Sequence, residues 1–87
     1  MMKSLFLERG GKLIHMGDHE SVSQINAIIT AYRDNNHIPN YYMRYINEEK
    51  NGRWMTCVDF GLWSEFFYIY PALNLSEEFT KEESSYV

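Results

Sequence analysis

One amphipathic segment constrains what this chain can build. Val22, Ile25, Ile28, Ile29 and Tyr32 recur at spacings of three and four, which sets them on one stripe of a 3.6-residue helix. Ser23, Asn26, Thr30 and Arg33 fall on the opposite side in this reading. Ser21 with Gln24 three positions on reads as a capping box. Pro39 lacks an N–H and disfavours helix at Ile38, so the helix should stop near Asn35-Asn36. This helix is the only candidate cover for whatever sheet the rest of the chain forms.

The remainder reads as strands. Leu5-Phe6-Leu7 and Leu13, Ile14 and Met16 flank Gly10-Gly11, which predicts a short hairpin over residues 3–16. Gly17-Asp18-His19-Glu20 then reads as a polar break. Residues 41–48 and 53–60 form a second hairpin around Lys50-Asn51-Gly52, since Asn-Gly between apolar runs is a strong turn signal. In its second strand Trp54, Thr56, Val58 and Phe60 alternate with Arg53, Met55, Cys57 and Asp59, and the first set is the better candidate for the core. Glu65–Tyr70 is a last strand, ended by Pro71. The expected fold is α+β, in the order β-β-α-β-β-β, with one antiparallel sheet and the helix on one face. Residues 1–75 form the single domain. Residues 76–87 are an acidic tail, either a short capped helical turn or a frayed terminus.

Length and charge narrow the function. Eighty-seven residues make one domain and not two. No apolar run approaches the length of a membrane span, and no apolar stretch behind Lys3 suits a signal peptide. One cysteine cannot close an internal disulfide and suits a reducing cytoplasm. The net charge of −4 disfavours non-specific nucleic-acid binding. Glu77, Glu78, Glu82 and Glu83 against Lys81 supply −3 of that charge, so residues 1–75 are close to neutral.

Chemistry-bearing groups are sparse. His15, Asp18 and His19, with His37 as a distant fourth, could be imagined around a metal ion, but their spacing matches no recognised site. They read as loop residues, and no metal or cofactor is expected. Cys57 lacks a nearby base, and Asp59 on the same strand face would raise its pKa. Asp34, Asp59 and Glu65 have no spacing that demands an acid–base pair. No phosphate-binding loop, nucleophile elbow or zinc-protease helix is present. An enzyme is therefore not expected.

Aromatic residues carry more information. Ten lie between Tyr41 and Tyr70. One helix covers one face of a sheet, so some rings must sit elsewhere. Tyr and Trp dominate interface hot spots, and the surplus predicts a contact surface built from Tyr41, Tyr45, Trp54, Trp63, Phe67 and Tyr68. Glu48, Glu49, Glu77 and Glu78 would meet a basic patch on the partner. Edge pairing of two copies into a homodimer would also use such a surface. Stacking of single-stranded bases is disfavoured, because residues 41–70 carry three positive and four negative charges.

The stretch Val58-Asp59-Phe60-Gly61-Leu62-Trp63-Ser64-Glu65-Phe66-Phe67-Tyr68-Ile69, with the Tyr/Asn/Ile-rich composition and small size, resembles the small early proteins of phages that infect low-GC bacteria. That resemblance implies a cytoplasmic inhibitor of one host or bacterial defence protein, of the anti-CRISPR or anti-restriction type. It brings no residue roles with it. The carboxylates lie mostly in the tail and form no phosphate-like ladder, unlike those of strong DNA mimics. The alternative expectation is an oligomer that sequesters a nucleotide, with Tyr and Trp on the base and Arg44 or Arg53 on the phosphate. A third is a structural subunit of a larger assembly.

Overall fold

A computed structural model describes residues 2–39 and 42–75. Among the described residues six elements follow one another: β1 (Lys3–Arg9), β2 (Lys12–His19), α1 (Val22–Asn35), β3 (Arg44–Lys50), β4 (Arg53–Asp59) and β5 (Phe66–Tyr70). All strand pairs are antiparallel, and the order across the sheet is β2-β1-β5-β4-β3. The expected α+β class and element order are both present.

Turn chemistry sets the two hairpins. Arg9 pairs with Lys12 and Lys50 with Arg53, so each loop has two residues. Gly10 and Gly11 have φ of 61° and 78°, and Asn51 and Gly52 have 54° and 79°. Two successive positive φ values define the type I′ turn, whose twist matches that of paired strands. The last of the described strands, β5, lies between the two hairpins and joins them. That position suits its unbroken Phe-Phe-Tyr-Ile-Tyr run, because Phe67 and Ile69 are buried on the helix side and flanking strands pack against Tyr68 on the other.

α1 links one edge strand to the other. Its 14 residues span about 21 Å, close to the roughly 19 Å across five strands. Ser21 caps it as expected: its side chain accepts from the Gln24 N–H, and the Gln24 side chain accepts from the Ser21 N–H. The C-terminus closes as a Schellman motif. The N–H of His37 donates to Asp34 and that of Ile38 to Arg33, with His37 at φ 57°. Val22, Ile25 and Ile29 pack on Leu5, Leu7, Val58, Phe67 and Ile69. Tyr32, Phe60 and Phe67 meet ring to ring, with Tyr32 edge-on to both phenylalanines. No helix among the described residues is long and apolar enough to cross a membrane.

Three expectations are corrected. Arg33 is buried, not solvent-facing, because it lies four residues after Ile29 and continues the Val22–Ile25–Ile29 stripe. Residues 17–19 are strand rather than polar break. A bulge displaces the register between Ser4↔Asp18 and Phe6↔His15, and Gly17, at φ 95°, carries the extra residue. Trp54 shares the helix-side alternation of Thr56 and Val58 but remains 60% exposed. It pairs with Glu49 beside the turn, past the cover that α1 provides.

Candidate functional site

The face of the sheet turned away from α1 has no second layer among the described residues. Alternation and register place Phe6 and Glu8 of β1, Leu13 and His15 of β2, Tyr68 and Tyr70 of β5, Met55 and Cys57 of β4, and Ile46, Glu48 and Lys50 of β3 on this side. Its centre is a small apolar cluster of Met55, Cys57 and Tyr68, with Phe6 and Phe66 against it. Around that centre Leu13, Ile46 and Tyr70 stay exposed.

This face is curled. Lys50 Nζ lies 2.7 Å from Glu8 Oε2, although β4 and β5 separate their strands. On a flat sheet three strand spacings across and a six-residue offset along the strands would put their backbones about 24 Å apart, beyond the reach of the two side chains. The ion pair therefore crosses a concave surface, with Lys50 4.9 Å from the Tyr68 ring centre. Beside it Arg53 lies 5.3 Å from the ring centre of Tyr70. Next to the two cations is a groove of about 290 Å³ that takes lining residues from all five strands: Leu13, Phe6, Tyr70, Met55, Arg53 and Lys50, with Asn51 at the turn.

Two other polar sites flank the face. At one end Arg44 donates to Asp59 at 2.8 Å and stacks on Tyr42. At the other the Gly17 bulge brings Asp18 and His15 to one side. Asp18 Oδ1 accepts from Ser4 Oγ at 2.6 Å and lies 2.9 Å from His15 Nε2. These bonds, the Ser4 one foremost, hold the Asp18 carboxyl below the usual range. In a nucleophilic triad the histidine sits between serine and aspartate. Here the aspartate takes both contacts, so Ser4 gains no base. His19 turns to the other face and lies 3.1 Å from the Met16 carbonyl. No three potential metal ligands converge among the described residues. Burial, with lesser help from Glu48 and Asp59, pushes the Cys57 thiol up to about 12, so it is protonated at neutral pH and a poor nucleophile.

The expected contact residues do not form one surface. Phe67 has no exposed area, because it points at the helix. Tyr45 also turns to the helix side, where its hydroxyl bonds Asn26. Phe67 therefore offers no contact area, and Tyr45 is half-buried on the helix side. Trp54 and Trp63, 60% and 90% exposed, lie at opposite ends of β4, separated by roughly 17 Å of strand. Tyr68 is on the open face but forms its floor, with only 5% exposed. Glu48 borders that face, and Glu49 is exposed on the other. Tyr41, Glu77 and Glu78 lie outside the described residues. Phe6, Leu13, Met55 and Tyr70 were not foreseen as contact residues. The alternation Ser4-Phe6-Glu8 and the like-charged Lys50 and Arg53 around Asn51-Gly52 are the signals that mark the groove.

The described residues thus form a five-stranded antiparallel α+β domain with one sheet face covered by α1 and, among those residues, one open face. Comparison with protein-family models, with curated proteins and with solved structures gave no match.

Proposed function

We propose that this chain is a non-enzymatic protein-binding module that inhibits a host or bacterial defence protein through the open face of its sheet. The observation that carries the reading is the aromatic, half-exposed face that α1 leaves uncovered, with Leu13 and Tyr70 lining a groove and Ile46 exposed on the same face. Exposed apolar surface rimmed by polar groups is the usual mark of an interaction site. The inhibitory role rests on the resemblance to small phage early proteins. The Cys57 thiol and the Ser4–Asp18–His15 cluster are not arranged for nucleophilic catalysis, which supports a binding role.

The test is co-purification of a stoichiometric partner from bacterial lysate, repeated with Ile46→Asp and with Trp63→Ala. Loss of the partner with the Ile46 change alone supports the reading. A partner that survives the Ile46 change and is lost with the Trp63 change moves the contact off this face. One specific observation favours the second reading, a sequestered nucleotide: Arg53 and Tyr70 stand together at the groove. A thermal shift of several degrees with a single nucleotide, from a protein that runs as an oligomer, would reverse the order of the two.

A further inference from the structure

We infer that the groove beside the β3–β4 turn is the binding site for an acidic segment of the partner that carries one large apolar side chain. This rests on the protein-binding reading above and names the partner's chemistry. Three observations carry it.

The first is an unfavourable cross-strand pair. Lys50 and Arg53 face each other directly across the hairpin, and like charges in that position destabilise a sheet. Each is held over a tyrosine ring, Lys50 over Tyr68 and Arg53 over Tyr70. Glu8 neutralises Lys50. Arg53 has no carboxylate partner among the described residues, so one fixed cation is left over at the rim. The second is the charge of the lining, where Glu8 offsets Lys50 and no lining carboxylate offsets Arg53. The third is shape. Phe6, Leu13 and Met55 make an apolar wall next to those cations. The volume is at the lower edge of small-molecule pockets, which suits one anchoring side chain better than a whole ligand. A carboxylate next to that anchor would bond Arg53 through its fork of N–H donors.

The experiment titrates the isotopically labelled full chain, by NMR, with three blocked peptides. One has phenylalanine flanked by glutamates, one has phenylalanine flanked by lysines, and one has alanine flanked by glutamates. The first should bind about tenfold more tightly than the others, with shifts centred on Leu13, Asn51, Arg53 and Met55. Arg53→Gln should remove that tenfold preference without lowering the thermal midpoint, since it also relieves the like-charge pair with Lys50. Equal response to the three peptides, shifts elsewhere on the molecule, or tighter binding of a nucleoside monophosphate would overturn the inference. So would shifts at these residues that follow protein concentration alone, since a second copy would then fill the groove. If Ile46→Asp abolishes partner binding and Arg53→Gln leaves it intact, this inference fails and the protein-binding reading stands. If the peptide preference holds and Ile46→Asp leaves partner binding intact, that reading fails instead.

Discussion

Thr56 offers a sharp test of how the segment after β5 is fixed. Its side chain is fully buried on the helix side of the central sheet. The hydroxyl donates to Asn47 Oδ1 at 2.5 Å and accepts from the Leu73 N–H at 2.7 Å, while Asn47 Nδ2 donates to the Leu73 carbonyl at 2.9 Å. Both backbone groups of Leu73 are thus bonded through two side chains, and its own side chain completes the core. Thr56→Val keeps the β-branch and the volume but removes the hydroxyl. Asn47 is exposed and can turn to water, whereas the Leu73 N–H is left buried. The lost bonds and the orphaned donor together cost about 3 kcal/mol, and the added methyl returns about 1 kcal/mol. The net loss of about 2 kcal/mol should lower the thermal midpoint by roughly 8–16 °C. Urea denaturation of Thr56→Val and Thr56→Ser separates the causes. Thr56→Ser keeps the hydroxyl and loses one methyl, for about 1 kcal/mol. If Thr56→Ser is as damaging as Thr56→Val, the hydroxyl network is not what holds Leu73 and the reasoning fails.

Two further outcomes follow from the same geometry. Burial raises the Cys57 thiol from 9.0 to about 12 and the neighbouring Tyr68 hydroxyl in the same direction. The unfolded chain therefore loses these protons first, so stability is full below pH 9 and falls as the pH rises toward 12. Cys57→Ala should flatten that fall in urea titrations at stepped pH, and an unchanged slope would exclude the thiol as a cause. His37, at φ 57° after the helix, sits where glycine is preferred. His37→Gly should stabilise the fold by about 0.5 kcal/mol, read as a rise of roughly 2–4 °C in midpoint.

Local signals were the ones the sequence carried plainly. The Ser21–Gln24 cap, the apolar spacing of Val22 to Tyr32 and the turn sites at Gly10-Gly11 and Asn51-Gly52 depend on neighbouring residues, and each lies where the pattern placed it, while the two-residue loop length came only with the structure. Non-local pairing was not legible. Nothing within Phe66–Tyr70 says that it will lie between β1 and β4. Without that order, Phe67 and Tyr68 look alike, although one faces the helix and the other floors the open side. Arg33 misled because a charged head hides a long apolar stem that can fill a core position. The groove drew on five strands at once, so its residues never stood together in the sequence.

The position of β5 also governs when the protein can form during synthesis. Leu5 pairs with Ile69, so the first strand finds its inner neighbour only after almost the whole described chain has been made. Before then the two hairpins have no shared strand, and neither can complete a sheet alone. Pairings this distant in sequence are slow to close. A ribosome-bound chain that stops at Asp59 would hold β1 and β4 with their inner edges bare and open to association with other chains. The five-stranded sheet should therefore close only once β5 is available, and not strand by strand as the chain is made.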